Sequence, residues 1–189
     1  MALISLIIGS YLLGNLLTGS VISTFYYNQE IRTKGSGNPG ARNVGRLYGR
    51  KAFVVTFLGD ALKGAIAVLA ARYLGFNQLI ELLLLLSVVA GHIYPILFKF
   101  RGGKGVSTFI GGLLVFSPLV FATFFGVFAA LYIVIKNFTA AGISAIVSLP
   151  IILLVFSYHT QFLLLACLLS GIILVAHRED LTLKRRTGN

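Results

Sequence analysis

The residues best suited to chemistry in this 189-residue chain stand in three short polar stretches. The first reads Gly35-Ser36-Gly37-Asn38-Pro39-Gly40-Ala41-Arg42-Asn43-Val44-Gly45-Arg46. Glycines permit positive φ and close backbone approach, so successive N–H groups can form an anion-binding nest. Ser36 and Asn38 add side-chain donors, and Arg42 and Arg46 add charge. Glycine, amide and arginine interleave instead of clustering by type, which favours anion binding over a merely solvated connector. Gly35 to Gly40 also matches G-x-G-x-x-G, but the dinucleotide fingerprint requires a preceding strand and a βαβ unit. The apolar flanks of this stretch allow neither, so that match is rejected.

The second stretch runs from Gly91-His92 through Gly102-Gly103-Lys104-Gly105 to Ser107-Thr108. Phe98 stands where a Walker A loop needs its first glycine, so the stretch is not a P-loop. Three glycines around a lysine, opening onto a helix start, still suit a phosphate. His92 reads as a structural histidine at a helix end, with general base as the lesser alternative. The third stretch is His177-Arg178-Glu179-Asp180. His177 and Asp180 are three apart and share a helical face. His177 suits donation to a phosphate or general-base work beside a carboxylate. A helix-end charge cluster stabilised by the macrodipole and solvent is an equal alternative. Asp60 and Lys63, also three apart, lie inside an apolar run and are expected to pair with each other.

The elements that must position these stretches are membrane helices. The chain is 57% hydrophobic and 11% charged, with mean hydropathy +0.92. A soluble domain is nearer half apolar and a quarter charged. A spanning helix needs roughly 20 apolar residues, and lipid offers the backbone no hydrogen-bond partner, so closed helices are expected. Alternation typical of an outer-membrane barrel is absent. Expected spans are approximately 3–25, 52–73, 79–98, 138–157 and 160–176. Residues 106–135 would make a helix of about 45 Å if unbroken, too long for a ~30 Å core. Two short helices broken near Ser117-Pro118 are therefore expected.

Charge parity supports the break. The chain carries 16 Lys+Arg against five acids, a net charge of +11. With seven spans, clusters 26–51, 99–104 and 178–186 and Lys136 share one side, leaving only Arg72 opposite and Lys63 within a span. A single long helix would export the basic C-terminus, against the positive-inside rule. The expectation is an all-α integral membrane protein of seven transmembrane helices, some short. Its N-terminus lies outside and its C-terminus in the cytoplasm, with residues 1–189 forming a single polytopic domain. The first apolar stretch has no basic n-region or clear cleavage site and reads as a retained helix. Cys167, the single cysteine, sits in an apolar run and reads as packing. Gly9, Gly14, Gly19, Gly111 and Gly112 read as helix-packing positions.

The three stretches, in this order between these spans, resemble the bacterial acyl-phosphate-dependent glycerol-3-phosphate acyltransferase (PlsY) family. The first is similar to G-S-G-N-x-G-A-T-N, the second to G-H-x-[YF]-P-x-x-x-x-F-x-G-G-K-G-V-A-T, and the third to H-R-E-N-I. Gly59-Asp60-Ala61-Leu62-Lys63-Gly64 also looks like the family's second helix. The resemblance covers nearly the whole chain. It implies an inner-membrane enzyme of phospholipid biosynthesis with its site on the cytoplasmic face. The implied reaction moves a fatty acyl group from acyl phosphate to the 1-hydroxyl of sn-glycerol 3-phosphate, giving lysophosphatidic acid and phosphate. Ser36, Arg46 and Lys104 are then assigned to substrate phosphates, with His177 and Asp180 completing the glycerol-3-phosphate site. Gly37, Asn38, Gly40 and Asn43 would build the first loop, and Gly102, Gly103 and Gly105 the second. An acyl phosphate is already activated, so no Ser or Cys nucleophile is needed; the base is His177 or a substrate phosphate oxygen. No metal or cofactor is expected. The implied partners are membrane lipid, the two substrates and the acyl-phosphate synthase, with no nucleic acid.

Arg42 stands where the family has threonine, Ser107 where it has alanine, and Asp180 where it has asparagine. A carboxylate at 180 would repel a phosphate unless paired with Arg178 or Arg42. That departure keeps a catalytically impaired relative or scaffold as one alternative. A small-anion carrier is another, opposed by the absence of a second ion site at the midplane. The H-x-x-x-x-D acyltransferases are disfavoured, because the corresponding positions after His92, His159 and His177 are Leu97, Leu164 and Thr182.

Overall fold

The structure, a computed structural model, describes residues 1–178. Among the described residues every regular element is helical, and they fall into two compact units, Met1–Phe116 and a second that begins at Ser117. The first unit contains α1 (Ala2–Gly14), α2 (Thr18–Tyr27), α3 (Ala41–Tyr48), α4 (Arg50–Tyr73), α5 (Gln78–Ile93) and α6 (Val106–Phe116). Single 3-10 turns at Ile31–Thr33 and Ile96–Phe98 punctuate its two long loops. The second contains α7 (Pro118–Ile135), α8 (Phe138–Val147), α9 (Leu149–Val155) and α10 (Thr160–Ala176).

Among the described residues, four helical stretches are long and apolar enough to cross a membrane: Ala2–Tyr27, Arg50–Tyr73, Gln78–Phe98 and Pro118–Ile135. The pair α8 and α9, bent by 46° where Pro150 enters, makes a fifth if taken as one span. α6 and α10 are apolar but shorter. The expected break at 117 is present: Ser117 caps α7 by accepting from Val120 N, and Pro118 occupies its first turn. At 11 residues α6 reaches only about 16 Å, short of the hydrocarbon thickness.

Helix α4 is the axis of the first unit, packing against α1, α2, α3, α5 and α6. Glycines let the backbones approach. A Cβ on Gly64 or Gly111 would collide with the facing backbone of α6 or α4, and one on Gly14 or Gly91 with α5 or α1. Gly9 departs from the packing expectation, since nothing lies within 4 Å of where its Cβ would be.

The first apolar stretch differs from the single helix expected, because it breaks between Gly14 and Thr18. A break leaves carbonyls without donors at the end of α1 and N–H groups without acceptors at the start of α2. α4 supplies both. Lys63 Nζ donates to Gly14 O (3.0 Å) and Leu16 O (2.7 Å), while Asp60 Oδ1 accepts from Thr18 N (3.3 Å). The two side chains pair at 3.1 Å, both essentially excluded from solvent. Cation thus faces a helix C-terminus and anion a helix N-terminus, as the macrodipoles prefer. Asn15 completes the break, donating to Tyr11 O and accepting from Leu97 N in the second loop.

A second staple uses Arg72, the one basic residue expected opposite the others. Its Nε and Nη2 grip Glu81 at 2.9 and 2.7 Å, and Nη2 also donates to Val115 O and Phe116 O. The guanidinium therefore caps the end of α6 while neutralising a buried carboxylate in the first turn of α5.

Candidate functional site

The first loop is not an unstructured connector. After α2 ends on Asn28 in the left-handed region, Ile31 buries into a small core with Ile22, Val44 and Ala52, against which Tyr48 packs. That core needs α3, the short helix which carries Arg42 and Arg46 on its exposed side and Ala41, Asn43 and Val44 on its buried side. Arg42 and Arg46 are four apart and share a helical face. Tyr48 fastens the helix end by stacking on Tyr27 at 3.9 Å and bonding Ser23 Oγ at 2.8 Å.

Asn43 holds the turn ahead of α3. Its Oδ1 accepts from Ser36 N (3.0 Å) and its Nδ2 donates to Lys34 O (3.1 Å). The Asn43 amide is thus committed to loop backbone, and what it presents is the shape of the turn. Gly35 and Gly37 flank Ser36 at φ +56 and +70, which puts the exposed serine at the tip. Asn38 Oδ1 accepts from Gly40 N (3.0 Å), an Asx turn that leads into the first residue of α3.

In the second loop, Gly102 N and Gly103 N donate to Ile93 O (3.2 Å) and His92 O (3.0 Å). These two N–H groups close the loop on the end of α5, and a Cβ at either glycine would collide with it. Lys104 follows, half-buried, and Gly105 at φ +78 turns the chain into α6. His92, expected to be structural, is buried beneath the loop with Nδ1 sharing a 3.3 Å hydrogen bond with Thr108 Oγ1.

One residue joins the two loops, and its role was not visible in the sequence. Arg32 donates from Nε to Arg101 O (3.2 Å), lies 4.3 Å over the Phe98 ring, pairs with Glu30 at 3.0 Å, and reaches Ser20 Oγ. Two of those partners, Phe98 and Arg101, lie far along the chain. The sequence offered only a count of one more positive charge.

His177 belongs to the second unit, at the C-cap of α10. Its Nδ1 bonds Ile173 O at 2.8 Å, and since a carbonyl only accepts, Nδ1 carries the proton. In the neutral form of such a ring the lone pair is on Nε2. α10 is fixed within its unit by Ser170, which donates to Ile146 O of α8. Asp180, Glu179 and the tail 181–189 lie outside the described residues.

Three comparisons bear on this arrangement. The profile of the glycerol-3-phosphate acyltransferase family matches residues 4–185. Glycerol-3-phosphate acyltransferase 1 of Bacillus cereus is 49% identical over 173 residues, covering 92% of this chain and 95% of that protein. The glycerol-3-phosphate acyltransferase of Neisseria meningitidis serogroup C is 36% identical over 182 residues, covering 94% and 91%. The crystal structure of PlsY (YgiH), an integral membrane glycerol 3-phosphate acyltransferase, in its glycerol 3-phosphate form superposes with TM-score 0.88 at 34% identity, covering 100% of this chain and 94% of that one. Its lysophosphatidic acid form gives 0.85. With the apolar helices described above, these likenesses identify an all-helical, multi-pass membrane protein.

Proposed function

The chain belongs to the glycerol-3-phosphate acyltransferase family, and on that premise we propose that it transfers a fatty acyl group from acyl phosphate to the 1-hydroxyl of sn-glycerol 3-phosphate. The products are lysophosphatidic acid and phosphate. The observation that carries the reading on this chain's own residues is the tie made by Arg32. It fastens the loop that holds Ser36 and leads into α3, with Arg42 and Arg46, to the glycine-lysine loop that opens onto α6.

In the reaction the glycerol oxygen attacks the acyl carbon, the bond from that carbon to the phosphate oxygen breaks, and phosphate leaves with its electron pair. The donor is a mixed anhydride, so the protein's contribution is to hold two anions together and neutralise charge as it shifts. Ser36, Arg46 and Lys104 take the substrate phosphates. Gly37, Asn38, Gly40 and Asn43 shape one turn, and Gly102, Gly103 and Gly105 the other. His177 and Asp180 complete the glycerol-3-phosphate site. The hydroxyl proton goes to His177 Nε2 or to a phosphate oxygen. A His177→Gln variant separates these: base loss lowers kcat by at least about 100-fold, whereas a phosphate base leaves a change mainly in KM.

The same reading places the protein in the bacterial cytoplasmic membrane as one polytopic domain of seven spans. The N-terminus is outside and the basic loops and C-terminus are in the cytoplasm. The acyl-phosphate synthase is the implied supplier of donor. The test of the residue roles is kinetic: Arg46→Ala and Lys104→Ala should each raise KM for a phosphate-bearing substrate by roughly tenfold or more without loss of folded protein. Wild-type KM values in both variants would remove the phosphate role. If Ser36 were instead a nucleophile, rapid quenching would trap an acyl-enzyme; none is expected.

A further inference from the structure

His92 is a buried group that acyl transfer, as just described, does not use. It touches the second loop on both sides of Lys104. Ahead of the lysine, the His92 carbonyl accepts from Gly103 N, and the ring lies so close that a Cβ on Gly103 would collide with Nε2. Beyond the lysine, Nδ1 is bonded to Thr108 in the first turn of α6. The ring has a firm seat. Asp60 Oδ1 lies 3.8 Å from Nδ1, and that same oxygen is held by Lys63 Nζ and Thr18 N.

The loop needs such anchors. Lys99 and Phe100 both adopt positive φ, +53 and +60, a region that non-glycine residues seldom occupy. Two consecutive strained residues persist only where their surroundings over-determine them. Here the fixed points are Pro95 O, which accepts from Phe100 N at 2.9 Å, and the His92 and Ile93 carbonyls beneath the glycines. The backbone position of Lys104 is therefore set from below, while its four-carbon stem supplies only reach.

We propose that His92 is a positioning residue for Lys104: its ring and carbonyl fix the Gly103–Lys104 backbone, and Thr108 holds the ring. The proposal rests on the reading of Lys104 as a phosphate ligand. A misplacement of about 1 Å at such a site can cost on the order of 100-fold. His92→Ala should therefore raise KM roughly tenfold for the substrate whose KM Lys104→Ala also raises, with kcat within about threefold of wild type.

The deciding experiment compares wild type, His92→Ala, Lys104→Ala and the double variant, each checked by thermal melting. If His92 acts through Lys104, His92→Ala raises KM in the wild-type background and adds nothing in the Lys104→Ala background. The same factor in both backgrounds, or no KM change in His92→Ala, overturns the proposal and leaves the phosphate reading standing. Wild-type KM in Lys104→Ala sinks the phosphate reading and this proposal with it. Should His92→Ala fail to fold, Thr108→Val takes its place in the same cycle. It removes only the hydroxyl on Nδ1, with an expected rise of about threefold.

Discussion

Lys63→Met is the sharpest perturbation of the first unit, because one ammonium satisfies three oxygens there. Its Nζ pairs with Asp60 and donates to Gly14 O and Leu16 O, with side-chain exposures of 4% for the lysine and 1% for the aspartate. Methionine keeps the length and removes the charge. What remains is an uncompensated buried carboxylate and two carbonyls without donors at a helix break. Breaking a buried pair by removing one partner costs about 3–5 kcal/mol. Asp60→Asn in the same chain should recover about half, since the buried charge is gone and an acceptor for Thr18 N survives, while the carbonyls stay without donors. The assay is reversible unfolding of the purified protein in mild detergent or bicelles. It should rank wild type above the double variant and the double above Lys63→Met. A single variant as stable as wild type would refute the staple. A double variant less stable than the single would refute the assignment of the cost to the stranded carboxylate.

Asn43→Ala removes both side-chain bonds to the Ser36 turn, so Ser36 N loses its acceptor and Lys34 O keeps only Gly37 N; kcat/KM should fall at least about tenfold while the melting temperature drops only modestly. Equal activity would mean the turn forms without its clamp. Gly103→Ala drives a methyl into the His92 ring, so kcat/KM should fall by more than about tenfold, where a loop with room to spare would give wild-type rates. Arg72→Met leaves Glu81 unpaired and uncaps α6. Because Arg72 is 47% exposed, the expected loss is only about 1–3 kcal/mol, read in the same unfolding assay, with substrate KM unchanged.

The sequence disclosed whatever depends on local pattern. Apolar runs located the long helices, and the length argument for residues 106–135, with Ser117-Pro118 as a capped restart, located the break between α6 and α7. The three polar stretches were recognisable from glycine, amide and basic residues at close spacing, and the family resemblance agrees with the comparisons. What stayed hidden depends on partners far along the chain. The break after Gly14 lies in a run that reads as continuous helix, and it is stabilised from α4 by side chains whose mutual pairing alone was foreseen. α3 is two turns long, carries a glycine at 45, and is stabilised by a core that includes Ile22 and Ile31 rather than by its own propensity. Arg32 and Arg72 looked like two more topology charges, yet one ties loop to loop and the other caps a helix.

Acyl transfer is tested by product formation. Purified protein in lipid, given long-chain acyl phosphate and glycerol 3-phosphate, should release lysophosphatidic acid and inorganic phosphate in equal amounts, and neither in the absence of glycerol 3-phosphate beyond spontaneous hydrolysis of the donor. Folded protein that forms no lysophosphatidic acid over a range of pH and lipid composition would contradict it.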